Sequence, residues 1–115
     1  MSKRSDIDLI DDILICFAKV KEYISEISYD EFILDHKTQD AVIRNIEIIG
    51  EAVKKISPKT KEQYSFIPWK MIAGTRDRLI HGYFGVNIDI IWEIITINIP
   101  QLEPHFQQIK NDFCS

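Results

Sequence analysis

Asn87-Ile88-Asp89-Ile90-Ile91-Trp92-Glu93-Ile94-Ile95-Thr96-Ile97-Asn98-Ile99-Pro100 is the stretch on which the fold class turns. Its isoleucines favour strands by propensity, and Ile95, Ile97 and Ile99 alternate around Thr96 and Asn98 as a half-buried strand would. Against this, Ile88, Ile91, Ile95, Ile99, Leu102, Phe106, Ile109 and Phe113 recur at spacings of three and four, the period of a helix. The longer pattern outweighs the short alternation, so the segment is predicted to be a helix with Asn87 as its cap. Pro100 and Pro104 should kink or interrupt it, because each removes an amide donor. Ile90, Ile94 and Ile97 form a second apolar line, to be covered either within the monomer or by a second subunit.

The same period governs the rest of the chain, although it holds 23 isoleucines. Ser5 is a plausible N-cap for a first helix of about twenty residues, carrying Ile10, Ile13, Phe17, Val20, Ile24 and Ile27 on one face. After a break near Ser28 to Phe32, a second helix carries Val42, Ile46, Ile49, Val53 and Ile56 and ends at Ser57-Pro58. Gly50 inside it is costly unless another helix passes closely. A lysine-rich connection leads to a third helix with Pro68 at its first position and Trp69, Ile72, Ala73, Leu79 and Ile80 on one side. Gly82 and Gly85 punctuate its end. The expectation is an all-α, up-and-down bundle of four main helices plus short helical connections, in a single domain spanning residues 1–115.

With 115 residues, 45% hydrophobic and 28% charged, the composition is that of one globular domain. No run reaches the roughly 18 apolar residues of a membrane helix. Ile88 to Ile99 comes nearest, and Asp89 and Glu93 break it. Lys3 and Arg4 are followed by Asp6, Asp8, Asp11 and Asp12 rather than by the apolar run of a secretory signal. Cys16 and Cys114, one in a helical pattern and one near the end, suit reduced thiols. The expectation is a cytoplasmic protein without a membrane partner.

The net charge of −4 is unevenly spread. Residues 1–51 carry 6 basic and 12 acidic side chains, whereas residues 54–78 carry 7 basic ones against Glu62 and Asp77. Screening limits distant charges to a reach of about 8–10 Å, so such a segment can meet a polyanion locally, or can simply be a solvated loop.

Within that segment, Arg76 falls on the apolar stripe of the third helix, where a guanidinium needs an anion: a carboxylate such as Asp77 or Glu51, or a visiting phosphate. His81 follows five residues later and Tyr83 two after that. An imidazole can move a proton at neutral pH while an arginine stabilises charge on a phosphoryl group, which are the needs of metal-independent RNA cleavage. None of His36, His81 and His105 has a Glu three residues before it, so the di-metal pattern of four-helix proteins is missing, and neither a metal nor another cofactor is expected. Arg76 and Arg78 are too few for the recognition face of a helix-turn-helix DNA reader.

Arg76, four residues, His81, one residue and Tyr83 match the R-x4-H-x-Y pattern of the HEPN superfamily. Asp40-Ala41-Val42-Ile43-Arg44-Asn45, Ile49-Gly50-Glu51-Ala52 and Ile67-Pro68-Trp69 resemble its HepT-like toxin branch, in the same order. The resemblance implies an HEPN-like helical homodimer that places the two motifs near the shared interface, in a cleft that binds RNA. It implies a ribonuclease toxin whose partner, a small nucleotidyltransferase antitoxin, silences it by attaching AMP to the motif tyrosine, here Tyr83. Arg76 and His81 are then the catalytic residues and Asp77 a supporting one. Many relatives carry Asn where this chain has Asp77, whose charge would either orient Arg76 or weaken phosphate binding. Lys70 and Arg78 are candidates for steering the RNA backbone, or ordinary solvated side chains. The alternative function is a catalytically inactive HEPN-like binding module, a partner or substrate of the nucleotidyltransferase.

Overall fold

A computed structural model describes residues 5–75, Leu79 and residues 87–115. The described residues are helical with no strand, as the periodicity predicts. Helix α1 (Asp6–Ile24) begins at Ser5, whose hydroxyl accepts from the Asp8 amide at 3.3 Å while the Asp8 carboxylate accepts from the Ser5 amide. This reciprocal box satisfies two amides that the first turn would otherwise leave unpaired. The expected break at Ser28 to Phe32 is instead a single turn, α2 (Tyr29–Phe32), capped in the same way by Ser28 and Glu31. Phe32 is buried, and the Gln39 amide donates to its carbonyl at 2.8 Å, so the turn is locked onto α3 (His36–Lys55).

α1 and α3 form the main helix pair. Their ends are joined by the Asp6 carboxylate, which accepts from the Ser57 amide at 3.1 Å, from the Ser57 hydroxyl at 2.6 Å and from the Thr60 hydroxyl at 2.5 Å. Because Ser57 follows the end of α3, this contact sets α1 and α3 antiparallel. Burial pushes the Asp6 carboxyl upward, but the hydrogen bonds from Ser57 and Thr60 and the charge of Lys61 outweigh it and hold the group below its ordinary value. Ser57 also caps α4 (Pro58–Gln63), where Pro58 takes the first helical position at no cost in hydrogen bonding.

Helix α5 covers Trp69–Ala73, and from residue 88 the long C-terminal rod has three parts: α6 (Ile88–Glu93), a wide turn (Ile94–Asn98) and α7 (Ile99–Cys114). In the wide turn the Ile99 amide reaches back five residues to the Ile94 carbonyl. The cause lies just downstream. Pro100 has no amide for the Thr96 carbonyl and its ring crowds that oxygen, and a π-type turn opens the space. The expected interruption is therefore a local widening, and Pro104 is carried within α7. The helical stripe is borne out from Ile91 to Ile109, whereas Phe113 is exposed. Of the second line, Ile94 is buried and Ile90 half-buried by the monomer itself, and Ile97 stays 50% exposed.

The core is centred on Phe106, whose ring meets Phe17 at 5.4 Å and Trp69 at 5.5 Å, both close to perpendicular. Such edge-to-face pairs contribute about 0.5–1.5 kcal/mol each beyond their burial. Ion pairs Lys110–Asp11 at 3.0 Å and Lys21–Glu103 at 2.9 Å fasten the outer side of α7 to α1 and make the two antiparallel. Cys16 is buried and Cys114 exposed, both as free thiols.

Candidate functional site

Arg76, Asp77, Arg78, His81 and Tyr83 lie outside the described residues, as do Ile80, Gly82 and Gly85. The structure shows how the chain is led into that segment and received from it. The approach begins with Tyr64, Ile67 and Trp69, all buried. The Trp69 indole donates to the Tyr64 carbonyl at 3.0 Å, and the Ile67 amide donates to the same oxygen at 3.0 Å. Pro68 stands one place earlier than expected: it is the residue before α5, with φ −78° and ψ 68°, and Trp69 is the first helical residue. The predicted third helix is interrupted by a turn at Gly74, whose amide turns back to the Lys70 carbonyl at 3.0 Å, and the described residues beyond it, Thr75 and Leu79, are again helical.

Close approach of α5 to α3 fixes the position of this helix. A Cβ placed on Gly50 would meet the Ala73 and Ile72 carbonyl oxygens at 3.6 and 3.7 Å, so two backbones meet where the sequence carries a glycine. The helix expected to pass by Gly50 is α5, the one that leads to the motif. Beyond Gly74, the Thr75 hydroxyl donates to the Met71 carbonyl at 3.0 Å. Leu79, in the middle of the motif segment, is 1% exposed and belongs to the core. On the far side, Asn87 caps α6 as predicted, its side-chain oxygen accepting from the Ile90 amide at 3.2 Å. Gly74, Leu79 and Asn87 are therefore fixed points on either side of and within the motif.

Beside this path, Met71 and Thr75 line a small apolar cavity of about 40 Å³ together with Ile94 and Asn98 of the widened turn and Ile99 of α7. Liquid water occupies about 30 Å³ per molecule, so this particular void has no room for a nucleotide. The carboxylate of Glu51, a candidate counter-ion for Arg76, lies 3.5 Å from the Lys54 ammonium. Lys70 is exposed on α5, on the approach to the motif. Among the described residues, no three His, Cys, Asp or Glu side chains are grouped so as to hold a metal ion, and no helix is long and apolar enough to cross a membrane.

Sequence reasoning passed over one feature of this approach. Phe66, between buried Tyr64 and buried Ile67, is 63% exposed, with its ring against those of Tyr64 and His105. The signal available was the aromatic spacing of Tyr64, Phe66 and Trp69 inside the basic segment.

Comparison with known proteins bears on the same segment. The family model described as "Ribonuclease HepT-like" matches residues 13–109, which include the whole of Arg76 to Tyr83. A protein of Thermococcus cleftensis named "Probable ribonuclease HepT" is 42% identical over 94% of this chain and 98% of its own length. A protein of Caldanaerobacter subterraneus subsp. tengcongensis, named as a "Putative RNase", is 49% identical over 76% of this chain and 79% of its own. Another so named, from Methanocaldococcus jannaschii, is 41% identical over 97% of each chain. No solved structure gives a significant match. A match of this extent to the family model, together with relatives at 41–49% identity, means that the chain belongs to the ribonuclease HepT-like family.

Proposed function

We propose that this chain is a metal-independent endoribonuclease, the toxin of a toxin–antitoxin pair, acting as a homodimer of one HEPN-like domain per chain. The observation that carries the reading is the spacing Arg76-x4-His81-x-Tyr83 in a member of the ribonuclease HepT-like family. In the proposed reaction His81 takes the proton of a 2′-hydroxyl as that oxygen attacks the adjacent phosphorus. The O2′–P bond forms, the P–O5′ bond breaks, and the proton ends on the departing 5′-oxygen. The products are a 2′,3′-cyclic phosphate and a 5′-hydroxyl. Arg76 holds the phosphate and stabilises the charge that develops on its oxygens, and Asp77 orients Arg76. Lys70 and Arg78 steer the strand, changing salt dependence more than chemistry.

Silencing rests on Tyr83. A nucleotidyltransferase antitoxin would transfer AMP from ATP to the Tyr83 hydroxyl, releasing pyrophosphate and leaving a negative, bulky group beside the phosphate site. Repulsion and steric exclusion then act together against RNA.

The test is incubation of wild type and His81→Ala with labelled total RNA in EDTA, with both proteins shown to have the same mass by size-exclusion chromatography. Cleavage by wild type alone is expected. Equal inactivity of both, in protein free of AMP on Tyr83, would replace this reading with the inactive binding module.

A further inference from the structure

Phe66 is an apolar ring that stays 63% exposed between buried Tyr64 and buried Ile67. The turn that bears it is rigid: Tyr64, Ile67 and Trp69 are buried on either side, and two hydrogen bonds converge on the Tyr64 carbonyl. The Tyr64 hydroxyl ties the turn to α7 by donating to Asp112 at 2.6 Å. That bond, with burial and the Asp112 charge, pushes the Tyr64 phenol up to about 12, so the tie persists throughout the physiological range. Phe66 meets the Tyr64 ring at 6.4 Å and 68°, and the His105 ring at 5.0 Å and 74°. Two near-perpendicular contacts fix the orientation of the ring while 63% of the residue's surface stays open.

Its surroundings favour a nucleic acid over a protein. Around Phe66 in the chain, Gln63, Ser65 and Lys70 are exposed and polar, and Pro68 is exposed and apolar. Residues 54–70 carry Lys54, Lys55, Lys59, Lys61 and Lys70 against Glu62 alone. Asp112, the acid beneath the turn, has one oxygen occupied by the Tyr64 hydroxyl and the other by the Gln108 amide at 2.7 Å. Exposed aromatic faces beside basic side chains are how single-stranded nucleic acids are held without sequence preference.

We propose that Phe66, braced by His105 and Tyr64, is a stacking platform for a base of single-stranded RNA, a second contact outside the Arg76–Tyr83 motif. This rests on the ribonuclease reading. Exposed Lys70, and more loosely the other lysines of residues 54–70, attract the phosphates of the strand. Phe66 precedes α5 by three residues, and α5 leads from it toward the motif in the chain.

The experiment measures binding of a labelled, random-sequence single-stranded RNA by fluorescence anisotropy, in a His81→Ala background so that the probe survives. Phe66→Ala and Phe66→Leu should each weaken binding about tenfold, and Phe66→Trp should hold it within about twofold, because a base stacks on an aromatic face and not on an aliphatic chain. Lys59→Gln with Lys70→Gln should lower the salt slope, which the Phe66 variants leave unchanged. If wild type cleaves RNA while Phe66→Ala and Phe66→Leu bind like their parent, the platform is refuted and the ribonuclease reading stands. If Phe66→Leu binds as well as Phe66→Trp, or if Phe66→Ala lowers the mass in solution, the ring serves apolar packing or self-association instead. If wild type neither binds nor cleaves RNA, the platform and the ribonuclease reading fall together.

Discussion

The α1–α3 side of the molecule and the α5–α7 side are built differently. On the first, two helices of 19 and 20 residues run unbroken, each begun by a side-chain cap, and their ends are joined through Asp6, Ser57 and Thr60. On the second, α5 has five residues and is capped by Gly74, Asn87 caps the start of α6, and the rod beyond is widened ahead of Pro100. The regular side is a scaffold in which local propensity and packing agree. The irregular side is where the motif enters and leaves, and local rules are commonly broken at working sites.

This comparison breaks if the two sides do not share one core. Phe106 on α7 touches Phe17 on α1 and Trp69 on α5, and all three are buried. Phe106→Ala should therefore cost about 3–5 kcal/mol, the usual range for removing a buried aromatic. Urea unfolding should show this as a single shifted transition. Two separated transitions would mean that the halves fold independently.

The scaffold side can be probed alone. Asp6→Asn removes a carboxylate that accepts three hydrogen bonds, and should cost roughly 1–3 kcal/mol at neutral pH. The sign with pH follows from the depressed folded value of Asp6. Its contribution is complete above the unfolded carboxyl value of about 4 and is lost as pH falls through the lower folded value. Unfolding followed from pH 7 down to acid should thus show wild type and Asp6→Asn converging. A constant gap between them would show that the cluster acts through shape and not charge.

The seam between the sides gives the smallest effect. A methyl at Gly50 would sit 3.6–3.7 Å from two carbonyl oxygens, an ordinary contact, while alanine is the better helix former by about 1 kcal/mol. Gly50→Ala should raise stability by about 0.5–1 kcal/mol in thermal unfolding and leave RNA cleavage intact. Gly50→Leu has no such room; it should displace α5 and lower cleavage more than stability. If both variants match wild type in cleavage, the position of α5 does not govern the motif.

Much of the scaffold was legible in the sequence because it follows period and caps. The stripe from Ile91 to Ile109 overrode the strand propensity of isoleucine, and Ser5 and Asn87 both cap the helices they precede. Gly50 announced a close neighbour, and α5 supplies it. Three features were illegible for physical reasons. Pro100 signals a disturbed helix, but whether the chain kinks or widens depends on packing around Thr96 and Ile99. Pro68 suits the first helical position, yet the Trp69 indole bond to Tyr64 sets the start one residue later. Phe66 reads as core by type, and only the burial of Tyr64 and Ile67 on either side turns it outward. Arg76, His81 and Tyr83 were proposed from their spacing alone and lie outside the described residues, where the structure gives Gly74, Leu79 and Asn87 as the described positions around and within the segment.

The central claim is that Arg76 and His81 cleave RNA through its own 2′-hydroxyl, and the ends of the products test it most directly. Mass spectrometry of RNA fragments made by wild type in EDTA should find 2′,3′-cyclic phosphates and 5′-hydroxyls, with no fragments from Arg76→Ala or His81→Ala. Fragments ending in 5′-phosphate and 3′-hydroxyl would contradict it, because water and not the ribose would then be the nucleophile.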